Sequence, residues 1–280
     1  MGCQDVSDHA VAALRRSIAG LESVSVSLGE EASFSLGHAA ADAALGPLRR
    51  HALHEIVAAA HQAPAATGFV AGLIARLERR PVVWLRQDSA GAEGGELYAP
   101  GLAAFGLDPD RVLAVRGRDP LAVLKAAGDA FPRGNDQRSG IGAVVIELEG
   151  APACLDLTAS RRLVLAARDA GATAFLLRLG SSPAPSAATI RWSVSAAPSE
   201  GRMRAHGPGR PNFAVTVLRN RHGATGQWVM EWDSHAYSFR EPLPVALVPA
   251  PAHRPDQTQP GRIRSGNIAE AWPAARRASG

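Results

Sequence analysis

Lysine is almost missing from this 280-residue chain: 29 of its 30 basic residues are arginine, and Lys125 is the single exception. Chemistry that needs an amine, on a carbonyl or on a phosphate, must use Lys125 or do without. Cysteine is scarce as well. Cys3 and Cys154 stand far apart, too few for a disulfide framework or a cysteine-ligated zinc site. No apolar run approaches the ~18 residues of a membrane span. Residues 1–19 carry Asp5, Asp8, Arg15 and Arg16 and hold no apolar stretch of the kind a secretory signal needs. These absences predict a cytoplasmic protein with no membrane partner.

What remains is an ordinary globular balance. Apolar residues make up 46%, charged residues 20%, and the formal net charge is +4. Such a chain can bury a sizeable core.

The pattern of the middle of the chain alternates. Short apolar runs at 53–58, 82–85, 112–115, 143–148 and 174–179 predict strands, and their continuous rather than alternating character suits a parallel sheet covered on both faces. Between them, helices are expected at 67–79, 100–105, 120–131 and 158–170. Pro120 starts the third, Thr158 caps the fourth, and Gly106 and Gly171 act as stops. Residues 59–66 read as a small-residue loop. After Gly180 the period changes to two, with Ile190, Trp192 and Val194 on one side of a strand, then Phe213, Val215 and Val217, then Trp228, Met230 and Trp232. That alternation predicts antiparallel strands extending the sheet at one edge. The fold class is therefore α/β, with a mainly parallel sheet flanked by helices and C-terminal antiparallel strands. The organisation divides into 1–33, a helix at 11–21 plus linker; 34–241, the folded domain; and 242–280, a Pro/Arg-rich segment without periodicity, expected to be disordered.

Few clusters invite chemistry. His51, His54 and His61 lie near Glu55, but their spacing fits no zinc pattern. No G-x-S-x-G elbow is present, so hydrolase chemistry has little support. Arg202, Arg204, His206, Arg210, Arg219, Arg221 and His222 concentrate positive charge late in the chain, the best footprint for a weak nucleic-acid contact or a partner surface. A solvated charged face is the plainer alternative. Trp272, among the arginines of the tail, is a further contact candidate.

Several stretches stand in a familiar order: Leu53-His54-Glu55-Ile56; Tyr98-Ala99-Pro100-Gly101-Leu102 through Gly106-Leu107-Asp108-Pro109-Asp110-Arg111-Val112-Leu113; Ala143-Val144-Val145-Ile146-Glu147; and Leu155-Asp156-Leu157-Thr158-Ala159-Ser160-Arg161-Arg162-Leu163 followed by Ala170-Gly171-Ala172-Thr173-Ala174-Phe175. Arg191-Trp192 and Trp228-Val229-Met230-Glu231-Trp232 complete the set. Over residues 34 to 233 the chain resembles the RecA family of recombinases and, more specifically, its divergent bacterial relatives, the ImuA family. That resemblance implies a RecA-like domain at 34–241 and a role in the SOS response to DNA damage, namely SOS mutagenesis by error-prone translesion synthesis. The partners it implies are an ImuB-like polymerase relative, an error-prone DnaE-type polymerase subunit and RecA.

The same resemblance places a phosphate loop at residues 60–67. A working loop reads G-x-x-x-x-G-K-[ST], with glycine backbone N–H groups and a lysine on the phosphates and a hydroxyl on magnesium. Here Ala60 and Ala65 replace the glycines, Ala66 replaces the lysine, and only Thr67, followed by Gly68, keeps its type. Pro64 removes one N–H. Glu147 stands where a magnesium-binding carboxylate would, but without phosphates a metal has few partners there, and the plainer reading is a strand-end carboxylate held by a neighbouring arginine or water. Phosphoryl transfer depends on charge stabilisation at this site. The expectation is a degenerate nucleotide site, no catalytic residue, no metal, no cofactor, and a non-catalytic protein. The competing expectations are a DNA-dependent RecA-like ATPase with an atypical loop, and a SulA-like cell-division inhibitor.

Overall fold

A computed structural model describes residues 33–88, 95–131, 140–180, 184–199 and 209–242. The chain divides into two units, Met1–Leu243 and Pro244–Gly280. The second unit, the helix expected at 11–21, Arg202, Arg204 and Trp272 all lie outside the described residues.

The first unit is built on a nine-stranded sheet. Its strands are β3 (Leu53–Ala58), β4 (Val82–Gln87), β5 (Val112–Gly117), β6 (Ala143–Glu149), β7 (Thr173–Leu179), β8 (Ile190–Ala197), β9 (Asn212–Asn220), β10 (Gly226–Asp233) and β11 (Ser238–Arg240). Their order is β11-β10-β9-β8-β3-β7-β6-β4-β5. Six neighbours, β8 through β5, run parallel; β9 reverses against β8, and β10 and β11 alternate from there. Thus β8 is the seam, parallel to β3 and antiparallel to β9. A separate pair, β1 (Ser33–Phe34) and β2 (Leu48–Arg49), brackets helix α1 (Ala39–Leu45). The α/β class and the antiparallel extension match the sequence pattern. β1, β2, α1 and β11 were not expected.

Helices cover the sheet on both faces. On one side α2 (Ala63–Ala75) packs over β8, β3 and β7. Phe69, Trp192, Phe213, Trp232 and Phe239 form one ring cluster there, with neighbouring centroids 4.9 to 6.0 Å apart. Burying each such side chain stabilises the fold by roughly 2–3 kcal/mol before entropy is counted. Two glycines on α2 make room for it: a Cβ on Gly72 would stand 2.7 Å from Phe239, and one on Gly68 2.9 Å from Phe105. On the other side lie α4 (Pro120–Ala130) and α5 (Leu157–Asp169), with Val123, Ala127, Leu163 and Ala167 buried against Val83, Val144 and Leu176. A short helix, α3 (Ala99–Ala104), follows β4.

Helix starts follow local chemistry. Asp119 accepts the Ala122 N–H at 2.7 Å ahead of Pro120. Asp156, not Thr158, caps α5, accepting the Ala159 N–H at 2.6 Å. The larger correction concerns α2, which begins at Ala63 rather than at 67. A 3₁₀ turn over Ala60–Gln62 leads directly into it. The physical reason is propensity: alanine is the strongest helix former, and Pro64 is well placed in a first turn, where its missing N–H costs nothing.

Candidate functional site

In an open parallel sheet, ligand sites form beyond the carboxyl ends of the strands. Here β3, β4, β6 and β7 end around a cleft of about 660 Å³, closed on its flanks by the start of α2 and by α3. Most of its wall is apolar: Ala60, Ala63, Pro64, Ala71, Leu97, Leu102, Phe105 and Leu179. Thr67, Gly68 and His61 also line it, as do Arg86, Glu96, Tyr98, Glu147 and Glu149.

Of the six residues expected at the nucleotide site, Ala60, Thr67, Gly68 and Glu147 reach this cleft. Ala65 packs against the core, and Ala66 is fully buried within it. The junction between β3 and α2 offers few backbone donors. The Gln62 N–H bonds to Ala59 O at 2.8 Å, the Ala63 N–H to Ala60 O, and Pro64 has none. Across the cleft, the Gly180 N–H bonds to Ala58 O and the Gly150 N–H to Leu179 O, each at 2.8 Å. Lys125 is exposed on α4 and is not part of the lining.

Glu147 is 1% exposed and fully engaged. Its Oε2 accepts Trp84 Nε1–H and its Oε1 accepts an Arg86 N–H, both at 2.9 Å. Arg86 also donates to Gly95 O at 2.9 Å, while its buried Nε–H has no partner. The geometry is that of a strand-end carboxylate held by an arginine. Arg86 was missed in the sequence. The available signal was a lone cation in a mostly apolar buried strand, in register with Glu147, the buried one of the two glutamates of the next strand.

A second buried network lies on the opposite face. Glu55, with no exposed surface, accepts from Arg178 at 3.2 Å, from Arg191 at 2.8 Å and from the Ser186 hydroxyl. It pins the segment 184–188 to the sheet. Arg191 donates to Ala184 O at 2.6 Å, and Arg219 to Ser186 O and Ala188 O at 2.9 and 2.7 Å. Burial lowers the Arg219 pKa, with Arg221 and Arg191 adding to the effect. Arg210 pairs with Glu231 and Asp233. Arg221 keeps an exposed side chain. In the described part of the basic cluster, Arg210 and Arg219 are therefore tied to internal acceptors, while Arg221 and His222 are exposed. Trp232 and Met230 are buried and Trp228 is partly so, on a strand that β11 covers at its outer edge.

The histidines do not converge. His54 is buried, its ring 5.8 Å from that of Phe34 and 5.5 Å from that of Phe175, with Nε2 2.8 Å from Arg49 O. Desolvation pushes its pKa down to about 4. His51 sits beside Arg50 and Arg80, and burial lowers its pKa, with those cations adding to the effect. His61 lies on the cleft wall. Among the described residues, no group of three or more His, Cys, Asp or Glu is placed to hold a metal. Nor is any helix among them long and apolar enough to cross a membrane.

Fold and site together define an α/β protein with a mixed nine-stranded sheet and a mainly apolar cleft at the carboxyl ends of its parallel strands. No protein-family model matches the chain. Two curated relatives do, both Protein ImuA of Caulobacter vibrioides, from strains NA1000 / CB15N and ATCC 19089 / CIP 103742 / CB 15. Each is 35% identical over 199 residues, covering 66% of this chain and 73% of the relative. This chain belongs to the ImuA family.

Proposed function

We propose that this protein is a non-catalytic, RecA-like accessory factor of SOS-induced mutagenesis, supporting error-prone translesion DNA synthesis in the cytoplasm through protein contacts. Family membership supports the pathway. The β3–α2 junction supports the absence of catalysis, and is the observation on which the proposal rests. A triphosphate needs a concave loop of free N–H groups and a cation. At this junction the Gln62 and Ala63 N–H groups are spent on the preceding turn, Pro64 has none, and Ala66 points into the core. Arg86, the cation in the cleft, is neutralised by Glu147. A nucleotide therefore does not fit the residues present.

The partners are an ImuB-like polymerase relative and a DnaE-type polymerase subunit, with RecA as a further one. Any DNA contact is weak, since Arg210 and Arg219 are held by internal acceptors. The test is affinity capture of the full-length protein from DNA-damaged cells. Recovery of the two polymerase components in stoichiometric amounts is the expected result. Capture of a cell-division protein instead would refute the assignment in favour of the SulA-like alternative.

A further inference from the structure

Only the two outermost strands of an open sheet leave backbone N–H and C=O groups without a strand beside them. At one end of this sheet that strand is β5, six residues long and held along its inner edge by β4. Among the described residues, no strand pairs with its outer edge. Edges of this length are ordinarily blunted by charge, proline or a covering element. From Val112 to Val115, β5 carries neither charge nor proline, and Leu113 is 62% exposed, with Ala114 exposed beside it. Val115 packs against the core under α4 and Val112 against the core under α2. By alternation Leu113 shares the α4 face with Val115, and Ala114 shares the α2 face with Val112. The two ends of the strand differ in charge: Asp110 stands just before it and Arg118 just after, both exposed.

We propose that β5 is the seam of a homodimer, in which two copies pair antiparallel about a two-fold axis and their sheets join into one. Each face stays on its own side only when residues of equal parity stand opposite one another. The register of that kind nearest the middle of the strand sets Ala114 opposite itself on the axis. Leu113 of each copy then meets Val115 of the other, so four apolar side chains that are partly in water gather on the α4 face. On the α2 face Val112 meets Arg116, whose apolar stem can cover it while its head stays with Glu96. Beyond the strand, Asp110 of each copy comes opposite Arg118 of the other, an attractive pair at both ends of the seam. The pairing of Arg118 with Asp119 in its own chain is exposed and no obstacle. A parallel arrangement would set like charges together instead. A second copy is the occupant because the strand and its flanks are complementary to themselves, as an isologous contact requires. Such a dimer is independent of the accessory role. One strand seam is small for an interface, so the dimer is weak, with a dissociation constant of roughly 10–100 µM.

The test is sedimentation velocity of the full-length protein from about 1 to about 500 µM, which brackets that constant. The expected result is a passage from one chain mass to two, with nothing larger, since a two-fold contact closes on itself. Leu113→Lys puts a charge on the seam and should weaken the dimer at least about ten-fold. Asp110→Lys and Arg118→Glu should each weaken it about three-fold or more, and the double swap, which restores opposite charges across the seam, should regain most of the loss. All four substituted proteins change exposed side chains, and unchanged melting temperatures in dilute solution show that they fold. A single chain mass at every concentration would overturn the proposal. So would a dimer indifferent to Leu113→Lys, oligomers that keep growing with concentration, or a double swap no better than either single change.

Discussion

Arg86 and Glu147 face each other across neighbouring parallel strands, Nη2 to Oε1 at 2.9 Å, with both side chains withdrawn from solvent. The pair anchors the floor of the cleft, and Trp84 completes the acceptor set of Glu147. Breaking one half of such a pair strands a buried charge. Glu147→Ala is expected to cost about 3–5 kcal/mol of folding stability. The double replacement Arg86→Met with Glu147→Leu should recover most of that loss. It should still fall short by about 1–3 kcal/mol, because Trp84 Nε1–H is left unpaired. Urea denaturation of the single and double variants measures both. Additive losses would show that the two side chains do not interact.

The tight approach of aromatic rings to α2 predicts opposite effects for two glycine substitutions. Gly72→Ala drives a methyl to 2.7 Å from Phe239 and 3.1 Å from Trp232, and should destabilise by about 1–3 kcal/mol. Gly128→Ala, inside α4 with nothing within 4 Å, should stabilise by roughly 0.5–1 kcal/mol. Thermal melts of the two variants against the parent decide it. A stabilising Gly72→Ala would contradict the packing described.

Acid should weaken the fold through His54. In the unfolded chain this imidazole titrates near 6.5; in the folded protein burial pushes it down to about 4. The unfolded state therefore binds more protons between those values. The stability held above pH 6.5 is lost as pH falls toward 4, by about 3 kcal/mol at full extent. His51 and His222, also lowered by burial, act in the same direction. Chemical denaturation from pH 7.5 to 4 should show the loss, and His54→Phe should flatten the curve. A parent curve already flat over that range would show that His54 is not buried neutral.

Much of the sheet was legible in the sequence. Strands such as 143–149 and 173–179 are covered on both faces and so are mostly apolar, broken in their buried stretch by single charges at Glu147 and Arg178, a signal that depends on no partner. β1, β2 and β11 escaped notice because two or three residues carry no period. α1 is seven residues long, between glycines that read as breakers.

The site was only half legible. Its missing phosphate contacts could be counted from Ala60, Ala65 and Ala66, but the shape of the junction could not. A run of small residues suggested a loop over 59–66, whereas alanine propensity and Pro64 drew that stretch into a 3₁₀ turn and the start of α2. The Arg86–Glu147 and Glu55–Arg178–Arg191 networks join residues 61 to 136 positions apart, which no local pattern reveals.

Restoring a lysine should not restore a nucleotide site. Ala66→Lys places an amine in the apolar core beneath α2, where charge is costly, so it should destabilise by several kcal/mol or depress the lysine pKa. Melting temperature and nucleotide binding of this variant check the point. A stable variant that binds magnesium-ATP would show that the junction opens into a loop.

The most direct measurement is isothermal titration of magnesium-ATP into the full-length protein, paired with a phosphate-release assay with and without single-stranded DNA. The expected result is no saturable heat and no turnover above background. Turnover stimulated by DNA and abolished by Glu147→Gln or Thr67→Ala would contradict the non-catalytic assignment outright.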